Sequence, residues 1–145
     1  MRILLDTNII LDFFLSREPN YKASEKIFEL ICKEKIQAFT TANSITDIYY
    51  ISVKKLGEVT TKDAIRNLFN LVSIIDVDGY DCINALDLPF SDFEDALIVV
   101  CANKRNIQYI VTNDKNFLVK NSENNQIISP TMLLKLFITD YQNND

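Results

Sequence analysis

The chain has 145 residues, of which 48% are hydrophobic, and a formal net charge of −5. This length fits one domain with a sizeable core, and the acidic charge argues against a nucleic-acid binder that depends on clustered Lys and Arg. Histidine is absent, which excludes Ser-His-Asp and Cys-His catalysis and zinc sites built on imidazole.

Strand and helix signals alternate along the chain. We predict strands at Ile3–Leu5, Ile36–Thr40, Val72–Val77, Tyr109–Val111 and Ile127–Ile128. We predict helices at Thr7–Leu15, Tyr21–Lys35, Ser44–Leu56, Thr60–Leu71, Asp78–Leu86, Asp92–Asn103 and Pro130–Ile138. This alternation favours an α/β fold of three layers, α/β/α, with a central parallel sheet of four to five strands. We expect one domain over residues 1–140 and a flexible C-terminal tail over 141–145.

Local signals place some helix ends. Gly57 is expected to end a helix, and Asp78 is interpreted as an N-cap. Ser91 and Glu94 have the S-x-x-E spacing of a capping box, which predicts that Glu94 caps the helix that follows.

The cellular location is inferred from apolar runs and cysteines. No run approaches the length of a membrane span, and Arg2 is followed by only three apolar residues before Asp6, so we expect no secretory signal. Cys32, Cys82 and Cys101 lie in apolar surroundings without metal-type spacing. We therefore expect reduced core thiols in a cytoplasmic protein.

Four aspartates lie where an apolar segment gives way to a turn or a helix: Asp6, Asp47, Asp95 and Asp114. The carboxyl ends of parallel strands meet at one edge of a sheet, so these side chains are expected to converge there. Two carboxylates about 4 Å apart repel by roughly 4 kcal/mol at an effective dielectric near 20, so such a cluster needs protons or a divalent ion. Oxygen ligands without His or Cys favour Mg²⁺ or Mn²⁺.

Taken singly, most of these acids have a structural explanation. Asp6 can cap a helix, Asp47 can lie in solvent, and Asp114 can close a turn. Asp12 is interpreted as a helix-surface or turn-closing acid. Asp95 differs because the apolar segment after it indicates a buried helix, where a carboxylate needs a cation or strong hydrogen bonds.

The motifs, in this order, resemble those of the PIN-domain family of Mg²⁺/Mn²⁺-dependent ribonucleases, which includes VapC-type toxins. The matching segments are LLDTNIILD, the helix that carries Asp47, DFEDALIVVCA and IVTNDKNF. By this resemblance the catalytic and metal-binding residues are Asp6, Asp47, Asp95 and Asp114, with Asp92 as a fifth oxygen donor and Asn8, Thr112 and Asn113 as supporting groups. The family usually has Glu where this chain has Asp47, and often a basic residue where it has Asn113.

The resemblance implies metal-assisted hydrolysis of single-stranded RNA that leaves 5′-phosphate and 3′-hydroxyl ends. Asp6 and Asp95 would be direct ligands, Asp47 would position the water, and Asp114 would complete a second ion site. Candidate phosphate contacts are Lys54, Lys55, Lys104, Arg105 and Lys115. The predicted helices 21–35 and 44–56, which carry Phe28, Tyr49 and Tyr50, form a candidate surface for a homodimer or an antitoxin partner.

Three other interpretations remain open at this stage. The chain could be a catalytically weak PIN-like module that binds RNA or protein. It could be a phosphoryl-transfer protein, although Asn8 stands where a phosphatase of that kind has the second Asp of D-x-D, and Asp76 and Asp78 are more simply a strand-end acid and an N-cap. Finally, the acids could do no more than cap helices.

Overall fold

Five parallel strands form the central sheet of the computed structural model, which describes residues 1–142. The strands are β1 (Arg2–Leu5), β2 (Gln37–Thr41), β3 (Val72–Ile75), β4 (Tyr109–Val111) and β5 (Gln126–Ile128), in the order β3-β2-β1-β4-β5. The helices are α1 (Thr7–Phe14), α2 (Tyr21–Cys32), α3 (Ala42–Leu56), α4 (Glu58–Leu71), α5 (Gly79–Leu86), α6 (Phe93–Lys104), α7 (Lys115–Leu118) and α8 (Pro130–Gln142). The predicted three-layer fold is confirmed.

Side chains of β1 alternate between the two faces of the sheet. Ile3 and Leu5 pack into a core formed with α1–α4 and α8. Leu4, between them, packs into a second core with residues of α6 and α7, such as Ile98 and Phe117. A strand buried on both faces requires consecutive apolar residues, which is why Ile3, Leu4 and Leu5 are all hydrophobic.

The position of β1 determines where a ligand can bind. The chain builds β2 and β3 on one side of β1 and then returns to place β4 and β5 on its other side. Such a change of direction opens a crevice beyond the carboxyl ends of the two central strands. Asp6 follows β1 at this edge, and its backbone N–H donates to the carbonyl of Val111 at the end of β4 (3.0 Å).

Several helix ends differ from the prediction. The N-cap of α6 is Asp92, so the predicted capping box of Ser91 and Glu94 is wrong. A capping box is instead formed by Asp78 and Asp81 at the start of α5, and Asp78 is an N-cap as predicted. Helix α8 continues through Gln142, beyond the start of the predicted tail, and residues 143–145 of that tail lie outside the described residues.

The cysteine prediction was correct in part. All three thiols are free, Cys101 is buried and Cys82 is half-buried, but Cys32 is exposed. Cys32 ends α2 on its solvent side, while the preceding Ile31 faces the core. Within residues 1–142, none of the helices is both long enough and apolar enough to cross a membrane.

Candidate functional site

Asp6 lies between β1 and α1 and is only 7% exposed. Its Oδ1 accepts a hydrogen bond from the backbone N–H of Thr7 (2.7 Å), so it caps α1. Its Oδ2 accepts from the hydroxyl of Thr112 (2.7 Å) and from the side-chain amide of Asn8 (3.1 Å). One carboxylate therefore ties the start of α1 to the end of β4.

The loop after β4 contributes Thr112, Asn113 and Asp114. The Thr112 hydroxyl oxygen accepts from the backbone N–H of Asp114 (3.0 Å), and the backbone N–H of Asn113 donates to Oδ1 of Asn8 (3.1 Å). Asp114 itself caps α7. The structure thus gathers the three predicted supporting residues around Asp6 and places Asp114 beside them.

Helix α6 brings two more acids to the same edge. Asp92 is exposed, and its Oδ1 accepts from the backbone N–H groups of Glu94 (2.9 Å) and Asp95 (3.2 Å). Asp95 is 8% exposed and occupies the first turn of α6. The buried carboxylate expected at this position is therefore present.

The pKa shifts show that these acids share one electrostatic environment. The pKa of Asp95 is raised to about 7, mainly by burial and in addition by the charges of four acidic neighbours: Asp92, Asp6, Asp114 and Glu94. Burial also raises the pKa of Asp6, as does the charge of Asp114, although hydrogen bonds from Thr112, Thr7 and Asn8 oppose the shift. Carboxylates from β1, α6 and the loop after β4 therefore converge.

Asp47 lies next to Glu94, an acid that the sequence predicts to cap α6. It is exposed on α3, and its charge raises the pKa of Glu94 after the larger effect of burial. Asp6 and Asp92 raise the Glu94 pKa as well. Glu94 is thus an acid of the cleft that sequence reasoning missed. Recognising Asp92 as the N-cap would have left Glu94 free for this role.

Asp12 is not the helix-surface acid of one interpretation, but its bonds to Arg17 fit the other, a turn-closing acid. It is 3% exposed, and it bonds to Nε of Arg17 (2.8 Å) and to the side-chain amide of Asn113 (2.7 Å). Burial of this side of α1 against the loop after β4 could not be predicted from helical spacing alone.

Only one of the five candidate phosphate contacts adjoins the acids. Lys115 directly follows Asp114 and is exposed. Lys104 is engaged by Asp81 (2.7 Å) and Asp76 (3.3 Å). The other three, Lys54, Lys55 and Arg105, lie at the C-terminal ends of α3 and α6, away from the edge where these helices begin.

The chemistry of the acid cluster fits a divalent cation. The carboxylates of the cluster, however, do not surround a single point. Among residues 1–142, no three Cys, Asp or Glu side chains stand close enough to hold one ion, and no Lys or Arg forms an ion pair with the cleft acids. The donors are hard oxygens, and their mutual repulsion is what a charge of +2 relieves. Binding an ion would require the carboxylates to turn toward one another.

Comparison with known proteins identifies the family. The family model described as the PIN domain matches residues 2–116, most of the chain, and the protein belongs to the PIN-domain family. Ribonuclease VapC1 of Aquifex aeolicus (strain VF5) is 29% identical over 121 residues, which cover 80% of this chain and 83% of that protein.

Solved structures show the same fold. The structure of VapBC2 from Rickettsia felis, bound to a DNA fragment from its promoter, matches with a TM-score of 0.65 at 18% identity, covering 89% of this chain and 98% of the other. Mycobacterium tuberculosis VapC20, described as a sarcin-ricin-loop-cleaving toxin, matches with a TM-score of 0.63 at 16% identity, covering 79% and 92%. A toxin–antitoxin complex from Klebsiella pneumoniae gives 0.65 at 18% identity, covering 88% and 97%.

Proposed function

We propose that this protein is a Mg²⁺- or Mn²⁺-dependent endoribonuclease that hydrolyses phosphodiester bonds of single-stranded RNA, and that it is the toxin of a toxin–antitoxin pair. One observation carries the proposal: Asp95 is buried among acids that follow β1, belong to the start of α6 and follow β4, and its burial together with their charges raises its pKa to about 7. Membership of the PIN-domain family and the similarity to Ribonuclease VapC1 support it.

Each acid has a proposed role in this reaction. Asp6, Asp95 and Asp114 would hold the ion, with Asp92 and Glu94 at the margin of the cleft. When bound, Mg²⁺ or Mn²⁺ acidifies a water molecule and stabilises the charge that develops on the phosphate. Thr112, Asn8 and the N-terminus of α1 fix the Asp6 carboxylate before substrate arrives.

The remaining groups act on the water and on the RNA. Asp47, on α3, would position the attacking water. The side chain of Asp is shorter than that of the Glu usual at this position, and the neighbouring Glu94 would reach the water in its place. Lys115 would contact the RNA backbone next to Asp114. The expected products carry 5′-phosphate and 3′-hydroxyl ends, and an RNA substrate places the enzyme in the cytoplasm.

Cleavage of a mixed pool of single-stranded RNA tests the proposal. Cleavage should require Mn²⁺ or Mg²⁺, stop in EDTA, and fall by at least about 100-fold in Asp95→Asn and Asp6→Ala, because each removes a charged group that acts directly on the ion. Asp63→Asn is the matched control, since Asp63 is an exposed acid paired with Arg66 on α4, and it should cleave like the wild type. Cleavage that persists in both cleft variants would contradict the proposal.

The proposed antitoxin has a suitable surface. An open apolar groove of about 350 Å³ lies between α1, α4 and the end of α3, and its lining includes Phe13, Phe14, Leu56 and Leu71. Complexes of toxins with antitoxins are among the structures similar to this chain. We propose that an apolar segment of the antitoxin occupies this groove.

A second candidate function is a catalytically weak PIN-like module that binds RNA or protein. Two observations favour it: Asp47 is exposed, and no three acids among residues 1–142 are gathered at ion-binding distance. The cleavage experiment separates the two functions, because such a module would leave the RNA pool intact in the presence of Mn²⁺.

A further inference from the structure

A second polar network borders the acidic cleft without being part of it. Asn8 and Asp12 are four residues apart on α1 and therefore share one face of the helix. Asn113, in the loop after β4, donates its backbone N–H to Oδ1 of Asn8 (3.1 Å) and its side-chain amide to Oδ2 of Asp12 (2.7 Å). A single residue of the loop is therefore fastened to α1 at two points.

Arg17 completes this network from the segment between α1 and α2. Its Nε donates to Oδ1 of Asp12 (2.8 Å), and its Nη2 donates to the backbone carbonyl of Asn8 (3.4 Å). The Arg17 backbone is held on both sides, by the carbonyl of Asp12 (3.0 Å) and by the N–H of Tyr21 (2.8 Å). Both oxygens of the buried Asp12 carboxylate are therefore occupied, one of them by a cation.

The network leads directly to the reacting groups. The side-chain amide of Asn8 donates to Oδ2 of Asp6 (3.1 Å) and to the hydroxyl oxygen of Thr112 (3.3 Å), and Asp114 directly follows Asn113. Neither Asp12 nor Arg17 bonds to Asp6, Asp95 or Asp114 in the described part of the chain. The hydrogen bonds that connect Asp12 and Arg17 to the cleft run through Asn8 and Asn113.

We propose that Asp12 and Arg17 are positioning residues, whose ion pair holds Asn113 and Asn8 so that Asp6 and Asp114 are oriented for a divalent cation. The role in cation binding rests on the proposed function, whereas the network itself does not. Residues that orient metal ligands can be tested by metal affinity as well as by turnover. Their mutation leaves the ligands in the protein but disturbs the ligands' orientation.

Isothermal titration with Mn²⁺ measures the effect. Asp12→Ala removes both acceptors and should weaken Mn²⁺ binding by about tenfold, the lower end of the range for groups that orient metal ligands. Asp12→Asn keeps the size and one acceptor and should give an intermediate loss. Arg17→Met removes the cation and should weaken Mn²⁺ binding as well.

Asp81 offers a matched control for loss of a buried ion pair. The Asp81 side chain is 6% exposed against 4% for Asp12, and each bonds to a cationic side chain, at 2.7 Å to Lys104 and 2.8 Å to Arg17. Lys104 lies nine residues beyond Asp95, or about 13 Å along the axis of α6. Asp81→Ala should lower the melting temperature as Asp12→Ala does, yet leave Mn²⁺ affinity within twofold of the wild type, which is about the precision of the titration.

The outcomes separate this inference from the proposed function. Amide hydrogen exchange at Asn113 and Asp114, measured without metal, should accelerate in Asp12→Ala and not in Asp81→Ala. Equal exchange in the two variants, or Mn²⁺ affinity that falls equally in both, would overturn the positioning role. A wild-type protein that neither binds Mn²⁺ nor cuts RNA would contradict the proposed function. In that case the amide hydrogen exchange rates of Asn113 and Asp114 would still test whether Asp12 and Arg17 order the loop after β4.

Discussion

Asp95 and Asp81 show how a partner determines the state of a buried carboxyl group. Both are nearly inaccessible, and burial disfavours the charge of both. Hydrogen bonds from Lys104 and from the backbone of Asp78 nevertheless lower the pKa of Asp81. Around Asp95, burial and the charges of the neighbouring acids act together and raise its pKa to about 7. Asp81 has a cationic partner, Lys104, whereas Asp95 is surrounded by acids that a bound cation would neutralise.

The metal-free protein should become less stable as pH rises from about 4 to about 7. The pKa of Asp95 is about 7 in the folded protein and ordinary in the unfolded chain, so within this window the folded state binds more protons. Each unit of pKa difference corresponds to about 1.4 kcal/mol, and the raised pKa values of Asp6 and Glu94 act in the same direction. Melting temperatures in EDTA at pH 5 and pH 8 measure the effect.

The variant Asp95→Asn is the control for this pH dependence, because it cannot ionise and should show a flatter profile. A wild-type profile that rises from pH 5 to pH 8 in EDTA would contradict the shift. The lowered pKa of Asp81 acts outside this window, since its stabilisation is lost only as pH falls below the ordinary Asp range.

Glu94 can be tested separately from the predicted acids. Glu94→Gln removes one negative charge from the cleft without changing the size of the side chain, and should weaken Mn²⁺ binding by about tenfold, or about 1.4 kcal/mol. Glu29→Gln, at an exposed position of α2, should bind like the wild type. Equal Mn²⁺ affinity of Glu94→Gln and the wild type would remove Glu94 from the site.

At the residue scale, the sequence predicted groups that follow strands better than groups on helices. Asp6, Thr112 and Asp114 come directly after β1 and β4, so strand order alone brings them to one edge. Glu94 and Asp12 depend on which way a helix is rotated. That rotation is determined by the N-cap of α6 and by tertiary packing of α1, neither of which a local pattern specifies.

Among the elements, the connection between α3 and α4 consists of a single residue. Gly57 ends α3 and precedes α4 with φ of 78° and ψ of 169°, a conformation that side chains with a Cβ rarely adopt. A Cβ there would meet no atom within 4 Å. The requirement for glycine is therefore conformational and not steric.

Gly57→Ala should lower the free energy of unfolding by about 1–3 kcal/mol. Gly79→Ala is a matched control, since a Cβ at Gly79 also meets no atom within 4 Å and Gly79 begins α5 without a positive φ. That substitution should be neutral or stabilise by up to about 1 kcal/mol. Urea denaturation of both variants measures the difference, and equal stabilities would contradict the backbone argument.

The type and order of the elements were predictable, while their ends were less so. The apolar runs of β1 and β4 are buried on both faces, and such runs are typical of strands in a parallel sheet. The start of α6 was misplaced because Ser91 and Asp92 are both good N-caps, and only the observed hydrogen bonds of Asp92 distinguish them. Helix α8 extends past its predicted end, since nothing in its last residues breaks a helix.

For the whole molecule, the net charge of −5 limits how RNA can be held. A protein that neutralises six to ten phosphates loses about 10³–10⁵ in affinity between about 50 and 200 mM salt. Here Lys115 is the one candidate contact beside the cleft acids in the described chain, so affinity should depend on the divalent ion and little on monovalent salt.

The salt dependence of kcat/KM at constant Mn²⁺ tests this expectation. Over the same salt range kcat/KM should change by less than about tenfold, as expected for one or two phosphate contacts. Lys115→Gln should reduce the slope of log kcat/KM against log salt concentration by about 1, the value for one phosphate contact. Lys54→Gln, at the far end of α3, should leave this slope unchanged. A steep slope in the wild type would show that basic side chains hold the RNA.

The predicted homodimer stays a prediction, and its proposed surface is changed by the structure. Phe28 is buried against Phe13, with ring centroids 4.3 Å apart, and belongs to the core. Tyr50 is 64% exposed and remains available for contacts. Light scattering at micromolar concentration would contradict dimerisation if it gave the mass of a single chain.

The central place of β1 in the sheet has a consequence for synthesis. One wall of the cleft, around Asp6, is translated well before the other, which carries Asp95 and Asp114. Under the proposed function, a chain whose synthesis stops before Asp95 lacks Asp95 and Asp114 and cannot cut RNA. The cleft therefore cannot form until the segment that carries Asp114 has been translated.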